Sequence, residues 1–200
     1  MVNIIIIDSG ILIILLTVLY FLFSNSKPKI DIELVPLQAQ GFNVRARVTK
    51  QNWEKICTLI HREATKTGRY KCQVCGENGL SQGFKHPVEC HEVWEYDDSK
   101  RTQKLVGMLS LCPLCHKAKH IGLAIQMGYG EKVKNHMAKH NGWSLSKVER
   151  HIKKSFNKIK SKSSKFYKLD LTYLNDKRFS FLMEKFTVDE NKNCDTTIKY

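Results

Sequence analysis

Apolar and polar residues change period several times along this chain, and each change predicts an element. Residues Ile4 to Phe23 read IIIIDSGILIILLTVLYFLF, apolar except for Asp8 and Gly10. That length matches the roughly 20 residues a membrane-spanning helix needs, so 1–26 reads as an N-terminal transmembrane anchor. No basic stretch precedes the run and no small-x-small cleavage site follows it, which disfavours a cleaved signal peptide. Asp8 is costly in lipid and is the feature that favours a buried core helix instead.

From Lys27 to Val48 the residues alternate on both sides of Gln38-Ala39-Gln40-Gly41, as a short antiparallel strand pair would; 27–50 is a strand pair or a linker. Thr49 then caps a helix to about Thr65, in which Trp53, Ile56, Cys57 and Ile60 recur at helical spacing. Pro87 to Tyr96 alternates like a strand. Gly128 to His140 and Ser144 to Lys158 read as helices separated by Asn141-Gly142, a C-terminal stop, with Ser144 as the next cap. YKLDLTYL, from Tyr167, regains alternation and adds a strand. The expected fold class is α+β, with a main unit over 51–142, a helical basic extension over 143–188 and a polar, disordered tail over 189–200. No internal repeat is visible.

A formal charge of +14 and a pI near 9.5 attract polyanions, which makes nucleic acid or an anionic membrane face the natural partner. The stretch from Lys153 to Lys168 carries lysines and serines without an acidic residue; it serves as a solvated helix face, a linker or a phosphate-contacting arm. Lys27 and Lys29 directly follow the apolar run, which puts the bulk of the chain on the cytoplasmic side of the membrane.

Seven cysteines fit a reducing compartment and metal ligation better than a disulfide framework. Cys72-Gln73-Val74-Cys75 and Cys112-Pro113-Leu114-Cys115 are two knuckles that together supply the four-sulfur set of a closed zinc site. Gly76 permits the backbone turn such a knuckle adopts. Cys57, Cys90 and Cys194 are left over. The separation of the two pairs exceeds the roughly 15 to 20 residues of common zinc ribbons, and the insertion carries Glu89-Cys90-His91-Glu92. The second knuckle runs on as CPLCHKAKHIG; on a helix beginning near Pro113, His116 and His120 stand four apart on one face. The remaining histidines, His61, His86, His136, His140 and His151, read as structural. Trp94 and Tyr96 either cover the hairpin or stack on a base.

In these motifs, over about Trp53 to Gly142, the chain resembles the HNH endonuclease family in its zinc-knuckle form. The resemblance implies a ββα-metal module with a histidine on the first strand and metal-binding histidines on the following helix. It implies structural zinc on Cys72, Cys75, Cys112 and Cys115, and a catalytic Mg2+, Mn2+ or Zn2+ on His116 and His120. His91 would be the general base that deprotonates a water attacking a phosphodiester; alternatively His91 is a ligand and Glu92 stands at the base position. DNA rather than RNA is the substrate the resemblance implies. The family's central asparagine has no counterpart between Glu92 and Cys112, leaving Asp97 or Asp98 to hold the loop. That gap supports a competing function, a zinc-stabilised nucleic-acid- or protein-binding module tethered to the membrane without cleavage.

Overall fold

A computed structural model describes residues 27–65 and 70–188. The anchor expected over 1–26, the tail over 189–200 and Cys194 lie outside these residues. Among the described residues no helix is long and apolar enough to cross a membrane.

The fold is α+β. A hairpin of β1 (Glu89–Asp97) and β2 (Thr102–Leu111) is joined on its β2 side by a short parallel strand, β3 (Lys168–Asp170). Pairing starts at Glu89↔Leu111 and ends at Asp97↔Thr102, with a bulge between Val93 and Trp94 that leaves Val106 without an opposite residue. Bulges bend a strand and increase its twist. Alternation along β2 sends Leu105 and Met108 into one core and Leu109 and Leu111 into another, so the sheet lies between two apolar clusters.

The first cluster gathers Ile30, Ile32, Leu111, Ile121, Val133, Met137 and Val148. It is built by α3 (Pro113–Lys119), α4 (Ile121–Gln126), α5 (Gly130–Asn141) and α6 (Leu145–Lys160). The sequence signals for these helices hold: Ser144 Oγ accepts from the Lys147 amide, and Gly142 ends α5 at φ 63°. The second cluster lies under α2 (Lys50–Ala64), preceded by α1 (Val44–Arg47), and contains Ile56, Ile60, Leu105, Leu169 and Phe179. Thr49 caps α2 as expected, accepting from the Asn52 amide at 3.2 Å.

Residues 27–48 do not form the expected strand pair. Their alternation is real, since Ile30 and Ile32 are buried, but the partner is a helical layer. The Ile30 amide donates to Asn141 Oδ1 at 2.8 Å, and the Glu33 amide donates to the Lys119 carbonyl at 3.1 Å. A 3-10 turn at Leu37–Ala39 and α1 follow, with Gly41 at φ 86° where the turn was expected. The extension over 143–188 is likewise helical only to Lys160. Beyond it β3 and 3-10 turns at Thr172–Asn175 and Lys177–Leu182 carry Leu169, Leu174, Phe179 and Leu182 into the second core.

Candidate metal centres and the adjoining cleft

The first knuckle is fastened to β2 by one main-chain and one side-chain hydrogen bond. The Gln73 amide donates to the Ser110 carbonyl at 2.9 Å, and the Ser110 amide donates to Gln73 Oε1 at 2.7 Å. The second knuckle opens α3, where Cys112 Sγ caps the helix by accepting from the Cys115 amide at 3.4 Å. These placements bring Cys72, Cys75, Cys112 and Cys115 together with their sulfurs within 4.8 Å of one another. Cys75 Sγ and Cys112 Sγ are 3.5 Å apart. Four sulfurs at 2.3 Å from a tetrahedral zinc would be separated by about 3.8 Å, so the donor set and its spacing fit zinc. Hydrogen bonds from Cys115, Cys72 and Cys75 hold the Cys112 thiol far below the usual thiol range, and the same contact with Cys112 pushes Cys75 and Cys115 up; the protons are shared within one cluster, and a metal binds it by displacing them.

Polar side chains surround the sulfurs. Gln82 Nε2 donates to Cys112 Sγ at 3.2 Å, and His136 Nε2 lies 3.3 Å from Cys115 Sγ. Glu77 accepts from Lys139 at 2.7 Å and His140 at 3.2 Å. Such outer partners orient metal ligands and offset their charge.

The second centre lies where β1 meets α3. One ring nitrogen from each of His91, His116 and His120 falls within 4.8 Å of the others, and the ring centroids are 5.0 to 5.3 Å apart. Burial lowers the proton affinity of His91, and it holds that of His120 near 4 with help from the neighbouring imidazoles. Both rings are therefore neutral near pH 7, as ligation requires.

Two carboxylates orient these rings. His116 Nδ1 donates to Glu89, leaving the Nε2 lone pair for a metal, and a carboxylate on the far nitrogen is the usual partner of a metal-bound imidazole. His91 Nε2 donates to Glu33 Oε2 at 3.0 Å, leaving Nδ1 as the lone-pair nitrogen. Lys119 bonds the other Glu33 oxygen. Burial opposes the Glu33 charge, but the His91 hydrogen bond and the Lys119 ammonium outweigh it and hold the carboxyl at about 2.

Glu92 is not part of this cluster. Neighbouring residues on a strand point to opposite faces, and while His91 meets α3, Glu92 Oε1 accepts from the Val44 amide at 3.0 Å beside the second core. Burial pushes its carboxyl up to about 7. The other five histidines are all partnered: His61 with Ser110, His86 with Glu89, His136 with Cys115, His140 with Glu77 and His151 with Asp31. Asp97 binds only within the hairpin turn, and Asp98 accepts from Lys162 and Tyr167. Neither reaches the histidines. Sequence reasoning missed Glu33, Glu89, Glu77 and Gln82, because a lone carboxylate or amide carries no spacing signal.

His91 and His120 border a cleft of about 470 Å3. It is also lined by residues 31–35, by His151, Lys154 and Lys158 of α6, by Lys162 just beyond that helix, and by Trp94 and Tyr96. No protein-family model, curated protein or solved structure matches the chain.

Proposed function

We propose that the chain is a metal-dependent HNH-type endonuclease that hydrolyses phosphodiester bonds in DNA, with the hairpin β1–β2 and helix α3 as its ββα-metal unit. The observation that carries this reading is the convergence of His91, His116 and His120 beside a separate four-cysteine set. A scaffold needing only structural zinc has no use for a second cluster of imidazoles, two of them oriented by carboxylates.

In this reading Cys72, Cys75, Cys112 and Cys115 hold zinc that keeps the hairpin against α3. His116, oriented by Glu89, and His120 hold a divalent cation, which supplies charge neutralisation at the phosphate and the departing oxygen. His91 is the general base. Its Nδ1 takes a proton from water as the water oxygen bonds to phosphorus, the bridging P–O bond breaks, and the departing oxygen is protonated by solvent. Glu33 keeps the His91 ring in the tautomer that exposes Nδ1 and stabilises the imidazolium that forms. Ligands that are imidazoles rather than carboxylates favour zinc or a neighbouring transition metal over magnesium.

The membrane anchor and the cytoplasmic placement of the module belong to the same proposal, and they rest on Ile4–Phe23 and the lysines that follow. The test is nicking of supercoiled plasmid by the full chain in mild detergent with zinc, manganese, magnesium or EDTA. Nicking that needs a cation and disappears in His91→Ala and His116→Ala is expected. A folded, zinc-loaded chain that cuts neither plasmid nor oligonucleotide with any cation is instead the inactive binding module.

A further inference from the structure

β1 is the edge strand of the sheet and pairs with β2 alone among the described residues, so one side of its backbone is open along the cleft. Facing it is α6, where Lys154 and Lys158 stand four residues apart, with Lys162 in the turn just beyond the end of the helix. Four residues advance a helix by about 6 Å, a step of the same order as the separation of successive phosphates along one strand of nucleic acid.

The charges on this face are not already spent internally. Lys162 is held by Asp98 at 2.9 Å, but Lys154 and Lys158 are exposed and have no acidic partner among the described residues. The acidic groups of the cleft are engaged elsewhere: Asp31 by His151 at 2.8 Å, Glu33 by His91 and Lys119, and Glu92 by the Val44 amide. Only Glu95 stands exposed and unpaired in the lining. Trp94 and Tyr96 line the same space, Trp94 also packing on the second core and Tyr96 edge-on against Tyr167, and the Tyr96 hydroxyl is buried without a hydrogen-bond partner. A buried polar atom left unpaired is uncommon and calls for a partner.

We infer that the cleft is a track for one unpaired strand of nucleic acid, with successive phosphates on Lys154 and Lys158 and bases against Trp94 and Tyr96, so that a phosphodiester rests over His91 and His120. A duplex presents its phosphates on a wide, stiff cylinder. The side chain of His91 is only 3 % exposed and lines a concavity of about 470 Å3, which admits a flexible single strand more readily than an intact, paired duplex. Lysines along a groove with aromatic platforms are the means by which proteins hold single strands without reading their sequence. This inference rests on the hydrolytic reading above for what happens at the histidines, but not for the binding itself.

The test uses the full chain in mild detergent with EDTA and a fluorescein-labelled oligothymidylate, its duplex with oligoadenylate, and oligouridylate, read by anisotropy. The single strand is expected to bind roughly tenfold or more tighter than the duplex, and the double variant Lys154→Glu/Lys158→Glu to lose that binding, with the salt slope reduced by about two. Comparison of the DNA and RNA single strands identifies which sugar the cleft takes. Equal or tighter duplex binding, or a folded and zinc-loaded double variant that binds as before, overturns the track. Cleavage of the same oligonucleotides with zinc or manganese separates the two readings. Binding without cleavage leaves the track and removes the nuclease, whereas cleavage of duplex alone leaves the nuclease and removes the track.

Discussion

Glu33 Oε2 accepts a hydrogen bond from Nε2 of His91 at 3.0 Å, across 58 positions of sequence. The contact joins a segment that precedes the metal unit to the residue at the centre of its second cluster. Glu33 is held there by its amide bond to the Lys119 carbonyl and by the burial of Ile30 and Ile32 on the same segment. In the proposed reaction it does what the missing central asparagine would do, fixing the base by a side chain from outside the loop.

Glu33→Gln keeps the shape but removes the charge that faces both His91 and Lys119. The expected result is a folded chain whose kcat on a cleavable strand falls sharply while KM changes little, because the lysines of α6 are untouched. Glu33→Ala strands the buried Lys119 ammonium and is expected to cost about 2 kcal/mol in addition. Steady-state kinetics and thermal melts check both, and an unchanged kcat in Glu33→Gln would remove Glu33 as a positioning residue.

Glu92 separates two assignments of the base. Its carboxyl, raised by burial, keeps its proton to about pH 7 in the folded chain but only to about 4.5 when unfolded. The resulting stabilisation is fully present below about 4.5 and is lost as pH rises through about 7, a change of about 3 kcal/mol. Glu92→Gln removes this loss, so the variant is expected to melt higher than the parent at pH 8 and equally at pH 4.5. Cleavage should persist in it. An inactive, folded Glu92→Gln would return the base role to this residue.

The elements that were legible in the sequence are those whose signals are local. Thr49, Ser144 and Gly142 set helix ends, the two knuckles set the four-sulfur cluster, and His116 and His120 come together as their spacing suggested, although α3 ends at Lys119 and His120 stands at its junction with α4. Residues 27–48 misled because a period of two records only that alternate residues are buried, not what buries them; Ile30 and Ile32 pack on helices. Glu33, Glu89 and Glu77 were invisible for a related reason. Their roles come from long-range placement beside a histidine, and nothing in their own neighbourhood distinguishes them from surface carboxylates.

The two metal centres should respond to mutation separately. Cys115→Ser removes a ligand whose binding is coupled to folding, and loss of zinc together with loss of the cooperative melt is expected. Glu89→Gln removes the negative charge of the acceptor that orients His116 and also pairs with His86, and it leaves the four sulfurs untouched. It is expected to keep its zinc and its melt while weakening the second cation about 10- to 100-fold, measured by calorimetric titration of the zinc-loaded chain with manganese or nickel. Unchanged affinity in Glu89→Gln would mean that His116 is not a ligand.

Gly79 tests how the knuckles are held in register. It sits in the loop between the first knuckle and β1, where its amide donates to the Pro87 carbonyl at 2.7 Å and its carbonyl accepts from the Phe84 amide at 2.8 Å. A Cβ here would lie 2.1 Å from the His86 carbonyl oxygen and 2.8 Å from Pro113 Cδ. Pro113 is the first residue of α3, directly after Cys112, so the helix cannot yield without moving Cys112 and Cys115 away from Cys72 and Cys75. Gly79→Ala is therefore expected to cost about 1 to 3 kcal/mol, the usual range for overpacking, and to release zinc to a chelator faster than the parent. A variant with the parental melt and zinc release would mean that the loop is free to move off α3 without disturbing the four sulfurs.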